Sequence, residues 1–479
     1  MAKRNNYKQH QVIGGWKLDS RLGKGGNGEV WRAHKNRDVG AIKLLKNIRE
    51  NIYKRFKYEI HAITKNSDID GIVRIKEYDL PADTTRTVPW FVMPVGKRFS
   101  EWREEKDTLA VVREMLLVAK TIEQLHSRNY YHRDIKPANI LYIDGRLCLA
   151  DFGLVKYPGR DDVTERGKDV GPKYTMAPEM RRYAHEAYGE FADVYSFAKT
   201  LWIGVAGDFK CFDGQYNVFS VVSLNNYCHG LYTKSLNDLL TDCTDHTPEK
   251  RPKMTEVVKR LEEWVKINED FHEKNLTEWF DLQNKLFPAG APDSVTWTNL
   301  ADIITIFNEI ANVRSLNHMF LPGGGGNTII GADYAAEEGF ISLKISEKIY
   351  DILKPRKLTY ESFGVDPQWN YFRLEAESIK YTGIYGNKQP IFPYEELVEI
   401  EPSTYIERYH WDDNEYNGEE LPPESHLVCR YFEGAFVIFS TRSIYNRVSA
   451  TYDGRHNEMS ETEFREYIKR NALHHKTAA

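Results

Sequence analysis

One short stretch constrains this chain more than any other. Tyr131-His-Arg-Asp-Ile-Lys-Pro-Ala-Asn-Ile-Leu141 sets Asp134, Lys136 and Asn139 within six residues, on a segment bounded by apolar residues. Leu141-Tyr-Ile then meets Asp144-Gly145, a strong two-residue hairpin signal, and Leu147-Cys-Leu-Ala returns. The returning strand delivers a further carboxylate in Asp151-Phe-Gly153. Polar groups are thus fixed at both ends of one hairpin.

Those residue types match the needs of phosphoryl transfer. The reaction requires a carboxylate to orient a hydroxyl and accept its proton, a cation on the γ-phosphate, and oxygen ligands for a metal. Asp134, Lys136 and Asn139 supply the three, and Asp151 suits Mg²⁺, which takes one or two carboxylates together with phosphate oxygens. Upstream, Leu22-Gly-Lys-Gly-Gly-Asn-Gly-Glu-Val30 contains Gly23-x-Gly25-x-x-Gly28-x-Val30. That spacing alone is weak, because dinucleotide-binding turns share it. The residues after it, Glu29-Val-Trp-Arg-Ala33, read as a strand, so the glycines belong to a hairpin able to close over phosphates, not to a turn that opens a helix. Ala41-Ile-Lys43 follows on another apolar run, and a helix is expected over Tyr53 to Lys65 with Glu59 on it. A Lys43–Glu59 pair would hold the ammonium against the α- and β-phosphates.

With these motifs in order, residues 12–266 resemble a eukaryotic-type serine/threonine protein kinase domain. The resemblance adds Ala177-Pro-Glu179, Asp193 as an aspartate anchoring the loop around Asp134, and Arg251 as the partner of Glu179. It implies a bilobal α+β fold with ATP in the cleft and Mg²⁺ on Asn139 and Asp151. It also implies Asp134 as base, with Lys43, Lys136 and Glu59 completing the catalytic set. Leu22, Gly23, Gly25, Gly28, Val30, Ala41, Lys43, Met93, Gly96 and Leu141 would contact the nucleotide, with Met93 at the gatekeeper position and Pro94 and Gly96 facing adenine. Ile63, Ile75, His132 and Phe152 match the family's stacked hydrophobic spine. Lys136 points to Ser/Thr hydroxyls. Arg133 implies a phosphorylated activation segment, for which Thr164 is the expected residue. One departure stands out: the family's Gly-Thr-Pro-x-Tyr-x-Ala-Pro-Glu is here Gly171-Pro-Lys-Tyr-Thr-Met-Ala-Pro-Glu179, so the threonine after the glycine is missing and Thr175 follows the tyrosine.

The 479 residues exceed one ordinary core, and a length prior of about three domains applies. From Ile267 onward the chain carries 20 Lys+Arg against 34 Asp+Glu, whereas the whole chain is at 65 against 70, so a basic part precedes an acidic one. Five cysteines without a Cys-x-x-Cys pair make neither a disulfide framework nor a zinc site. No apolar run approaches the ~20 residues of a membrane span, and the N-terminus lacks an apolar signal region, so a cytoplasmic protein is expected.

Residues 267–294, with Phe287-Pro-Ala-Gly-Ala-Pro292, are expected to form a helical and Pro/Gly linker. Residues 295–479 read as a separate acidic α+β domain. It should hold a helix over Asn299 to Val313, strands over Phe340 to Ile345, Tyr371 to Tyr381 and Leu427 to Ser440 with a turn at Glu433-Gly434, and a final helix from Glu461 to Arg470. Leu321–Asn327 is expected to be a hairpin tip, and Trp411–Glu420 a solvated acidic loop that argues against nucleic acid as a partner. The function expected is an ATP-dependent kinase of protein substrates, autophosphorylating, with an appended regulatory or recruiting domain. The alternatives are a kinase that regulates a C-terminal binding module, or a toxin-like or phage-defence kinase.

Overall fold

The computed structural model describes residues 6–24, 28–46, 48–84, 87–160, 174–182, 189–322, 324–363, 369–380, 393–440 and 458–478. The chain forms two compact units, Met1–Glu269 and Asp270–Ala479.

The first unit opens with an antiparallel sheet. Its strands are β1 (Val12–Ile13), β2 (Trp16–Lys24), β3 (Gly28–Lys35), β4 (Asp38–Leu45), β5 (Glu77–Asp79) and β6 (Trp90–Met93), in the order β1-β2-β3-β4-β6-β5. Alternation decides the two faces. Trp16, Leu18, Trp31, Ala33, Ile42, Leu44, Trp90 and Val92 pack together on one. Register pairs Ala41 with Met93 and Lys43 with Phe91, so these four share the other. Helix α1 (Glu50–Lys65) buries Phe56, Glu59, Ile60, Ala62 and Ile63, a stripe at helical spacing in which Glu59 is the one charged member.

Below the sheet lies a helical body. β7 (Lys97–Arg98), β8 (Ile140–Ile143) and β9 (Arg146–Leu149) form a small sheet. The β8–β9 turn has Asp144 at φ 47° and Gly145 at φ 91°, the two positive values that a two-residue hairpin of the expected Asp-Gly type requires. Helix α2 (Phe99–Arg103) leads to α3 (Thr108–Ser127), which is capped by the Asp107 carboxylate accepting from the Ala110 N–H at 2.7 Å. After α4 (Pro178–Arg182), α5 (Gly189–Ala206) is buried on nearly every side, as a helix apolar around its whole circumference must be. The helices α6 (Lys234–Cys243) and α7 (Met254–Glu269) close this body. Arg251, 3% exposed, donates to Glu179 Oε1 at 2.7 Å and Oε2 at 3.1 Å, and also to the carbonyls of Phe191 and Asp245.

The second unit begins with α8 (Phe271–Leu286), which buries Trp279 and Leu282 among Ile303, Phe307, Tyr360 and Phe372. The span 267–294 therefore contributes to this unit's core; its Pro/Gly bridge is confined to the turn before β10 (Ser294–Trp297). Helix α9 (Leu300–Ala311) begins one residue after Asn299, whose side chain caps it. The strands that follow are β11 (His318–Phe320), β12 (Gly326–Thr328), β13 (Gly331–Tyr334), β14 (Ile341–Ser346), β15 (Ile349–Leu353), β16 (Pro355–Glu361), β17 (Tyr371–Ala376), β18 (Tyr394–Glu401) and β19 (Thr404–Glu407). Helix α10 (Tyr409–Asp413), the short hairpin β20 (Glu415–Tyr416) and β21 (Glu419–Glu420), β22 (His426–Tyr431), β23 (Gly434–Phe439) and α11 (Glu461–Ala478) complete it.

Two six-stranded sheets result, ordered β10-β16-β17-β23-β11-β12 and β13-β14-β15-β22-β18-β19. The expected α+β character holds, with more strands than the sequence reading named. The strand from Tyr371 stops at Ala376 and not at Tyr381, where its pairing with Pro355 and Gly434 runs out. The acidic stretch Trp411–Glu420 is not a bare loop, since it carries the end of α10 and the β20–β21 hairpin. Leu321–Asn327 does join a hairpin, β11–β12. Among the described residues no helix is long and apolar enough to cross a membrane.

Because the buried Arg251 meets both oxygens of the half-buried Glu179 carboxylate, removing it leaves that charge without its partner. Arg251→Ala should lower unfolding stability by about 3–5 kcal/mol, read as a shift in a urea midpoint at unchanged slope. A variant within 1 kcal/mol of wild type, an order-of-magnitude threshold, contradicts a structural role for the pair.

Candidate active site

The loop carrying Asp134 is held from beneath by one carboxylate. Asp193, on α5 and fully buried, accepts the main-chain N–H of His132 at 2.7 Å and of Arg133 at 2.6 Å. His126 Nε2 lies 3.0 Å from the same carboxylate. These bonds fix Arg133 at φ 64°, a left-handed value that costs a side-chain-bearing residue about 1–3 kcal/mol, against about 1.5–3 kcal/mol for each hydrogen bond to a charged group.

So positioned, Asp134 is 7% exposed and receives Lys136 Nζ at 2.9 and 2.8 Å on its two oxygens. The amide nitrogen of Asn139 donates to the Asp134 carbonyl and to Oδ2, each at 2.9 Å. Burial raises the Asp134 carboxyl above its usual range, while Lys136 pulls it back. The N–H of Ala150 donates to the Asn139 carbonyl at 2.8 Å, which ties this loop to the end of β9.

Asp151 follows immediately, itself left-handed at φ 61°. A Cβ on Gly153 would lie 3.3 Å from Asp151 Oδ1, so the glycine leaves room for that carboxylate. Phe152 is buried with its ring 4.6 Å from that of His132, edge to face. Ile63 and Phe152 lie in one buried cluster and Ile75 packs against it, with the His132 ring set against Phe152.

Lys43 joins the two halves of the cleft. Its ammonium lies 2.6 Å from Glu59 Oε1 and 3.0 Å from Asp151 Oδ1. Burial alone would depress it, but Asp151 and Glu59 together hold it well above the ordinary lysine range. Lys43 in turn holds Asp151 down at about 2. Burial pushes Glu59 up to about 7; Lys43 pulls it back, and the Asp151 charge lifts it further. The asymmetry follows from position: Glu59 is 2% exposed and shares the Lys43 ammonium with a second carboxylate, whereas the Asp151 side chain keeps 47% of its surface in solvent.

A cleft of about 750 Å³ opens between sheet and helices. Leu22, Gly23, Val30, Ala41, Lys43, Met93, Pro94, Gly96 and Leu141 line it, with Lys136, Asn139 and Asp151 on the far wall. Gly96 is a close approach, since a Cβ there would come within 2.9 Å of Leu141 Cβ. Gly28 sits on β3, where a Cβ would meet the Leu44 carbonyl at 2.9 Å. Gly25 and Thr164 lie outside the described residues. Arg133, expected to receive a phosphate, has a second arginine near it: Arg160 is held down at about 10 by burial and by the charges of Arg133 and Arg55.

Several lining residues were not singled out by the sequence reading. Arg98 donates to the Leu22 carbonyl at 2.8 Å across the cleft mouth. Phe99, Ile203 and Phe209 also reach the cleft, as do Tyr174 and Thr175 of the Gly171–Glu179 run. Arg98, Phe99, Ile203 and Phe209 come from β7, from α2, and from α5 and its following loop; none belongs to a spaced motif, so only folding brings them together. Cys211 and Cys228 are buried, with burial pushing each thiol up to about 12, and Cys243 is buried as well. Among the described residues no three His, Cys, Asp or Glu side chains group as a metal cage.

Comparison with known proteins agrees with this geometry. The protein kinase domain model matches residues 16–264. The chain is 28% identical over 258 residues to the dual specificity protein kinase shkB of Dictyostelium discoideum, covering 50% of this chain and 39% of that protein. It is 24% identical over 270 residues to the interferon-induced, double-stranded RNA-activated protein kinase of Mus musculus, covering 52% and 51%. It is 25% identical over 273 residues to the serine/threonine-protein kinase STY17 of Arabidopsis thaliana, covering 54% and 46%. The chain thus spans about half or less of the length of these relatives. The matched domain takes in the whole cleft, from the glycines of β2 and β3 to Arg251, and through it the chain belongs to the protein kinase family.

Proposed function

We propose that the chain is an ATP- and Mg²⁺-dependent kinase of protein serine and threonine hydroxyls, with its chemistry centred on Asp134. The observation that carries this reading is the meeting, in one cleft, of the Asp134–Lys136–Asn139 cluster with the Lys43–Glu59–Asp151 triad. Asp134 accepts the proton of the substrate hydroxyl as its oxygen attacks the γ-phosphorus and the bond to the β-phosphate bridging oxygen breaks. Burial raises its proton affinity, which suits a base. Lys136 meets charge on the transferred group, and Lys43 that on the α- and β-phosphates. Leu22, Gly23, Gly25, Gly28, Val30, Ala41, Met93, Gly96 and Leu141 are assigned to the nucleotide.

The residues also fit the metal. Asp151 is ionised and half exposed, and Asn139 spends its amide nitrogen on Asp134, so its oxygen is the atom it has to offer. Such all-oxygen donors suit Mg²⁺; Asp151 and Asn139 would hold it, and it would offset charge on the phosphates. Lys136 and the serine/threonine names among the relatives support the hydroxyl class, as against the dual specificity in the shkB name. To the acidic second unit we assign a recruiting or regulatory role toward the protein substrate. Residues 1–269 alone should then turn over ATP while losing affinity for that substrate; equal affinity with and without residues 270–479 removes the assignment.

Asp134→Ala should abolish phosphate incorporation, by two to three orders of magnitude or more, while ATP binding measured by calorimetry persists. Near-normal transfer in that variant overturns the mechanism.

The acid limb of the rate is a second test. The Glu59 value in the folded chain, about 7, lies above its ordinary one, so falling pH protonates it and breaks its pair with Lys43, while Asp151 stays ionised. The linkage sign is opposite for stability: the folded state binds this proton more tightly, so protonation favours folding even as it removes the pair. Activity should therefore drop below about pH 7 with no loss of melting temperature from this group. Glu59→Gln should lower kcat/KM by roughly 10²-fold and lose the limb. A limb near pH 7 that survives unchanged in Glu59→Gln assigns the proton to Asp134 instead.

A further inference from the structure

Strand β2 departs from its ladder at the mouth of the cleft. Trp31 and Val30 are neighbours on β3, yet they pair with Arg21 and Gly23, so Leu22 is an extra residue with no partner in the register. Such a bulge bends its strand and re-aims the groups on it, and bulges gather beside functional sites. Here the Leu22 carbonyl accepts from Arg98 Nη2 at 2.8 Å.

Arg98 belongs to the opposite wall. On β7 it pairs with Leu141 of β8, whereas Leu22 belongs to the six-stranded sheet. Leu22, Arg98 and Leu141 all line the cleft. The two walls are tied at depth by Lys43 and Asp151, and at the mouth by Arg98 and Leu22. The ties differ in kind. At depth a lysine only 16% exposed meets a carboxylate, while at the mouth a guanidinium 64% exposed meets a neutral carbonyl. Water can take over either partner at the mouth, so this is the tie that breaks and reforms at low cost. Glu101, 3.9 Å from Arg98 and exposed, adds little hold. The long stem and fixed fork of arginine suit a reach across an opening better than a single ammonium does.

Resting on the reading of this cleft as an ATP site, we propose that Arg98 is a positioning residue that clasps the β2 bulge across the mouth and sets how fast nucleotide leaves. With the clasp made, Leu22 and the glycine after it are held at a fixed distance from the Leu141 wall. Nucleotide escapes when the walls part there, and parting them breaks the Arg98–Leu22 bond. Arg98 acts through Leu22 and not on the phosphates.

The test uses the full chain with Mg²⁺ and N-methylanthraniloyl-ADP, displaced by excess ADP in stopped flow. Arg98→Ala should release the fluorescent nucleotide about 2–10-fold faster, the loss expected for one hydrogen bond, with a smaller change in the association rate. Arg98→Lys, which keeps a donor, should fall between Arg98→Ala and wild type. Glu101→Gln should release at the wild-type rate, because the clasp runs to the carbonyl and not through the ion pair. The melting temperature of Arg98→Ala should stay within about 2 °C of wild type, as for other exposed contacts. Wild-type release in Arg98→Ala overturns the clasp. So does faster release that comes with a melting temperature several degrees lower and is unrelieved in Arg98→Lys, since that marks a merely structural role. Wild type that binds the nucleotide and shows these differences, yet transfers no phosphate to protein, overturns the kinase reading and upholds the clasp. Wild type that binds no nucleotide overturns both.

Discussion

A single buried ammonium organises the active cleft. Lys43 extends from β4 and is shared by Glu59 of α1 and by Asp151, which follows β9. Three elements far apart in the chain therefore meet at one charge, and of the two carboxylates only Glu59 is buried, so its loss is the costlier one. The sharing is unequal. Asp151 keeps solvent and a low proton affinity, while Glu59, deep in the apolar stripe of α1, is left near neutrality. The cleft is closed by an interaction whose weaker partner titrates close to physiological pH.

A second carboxylate does the complementary work beneath. Asp193 holds two main-chain N–H groups and pins Arg133 in a left-handed conformation that the loop would not choose alone. Backbone strain there and at Asp151 brackets the reacting groups on both sides. Neither conformation is stable locally; each persists because the helical body around α5 over-determines it.

Much of the active site was legible in the sequence. Asp134, Lys136 and Asn139 are neighbours in sequence, and the Asp144-Gly145 turn dictates a hairpin, so their placement relative to Asp151 is a local matter. Ile203, Phe209 and Arg98 were not legible, because no spacing rule relates residues of α5 and its following loop to one of β7. In the second unit, the helices at Asn299 and Glu461 were found from the spacing of their apolar residues, and the structure adds the Asn299 cap. Strands such as β16 and β18 were missed because residues on both faces are buried or charged, which erases the alternation that marks a half-exposed strand.

The sequence by itself determined the family, the order of the motifs and which side chains meet in the cleft, since short-range spacing fixes which groups a turn or hairpin can present together. The tertiary structure decided what state those groups are in. Whether Glu59 is a surface charge or a partner of Lys43 with a raised proton affinity depends on burial, and burial is a property of the packed core.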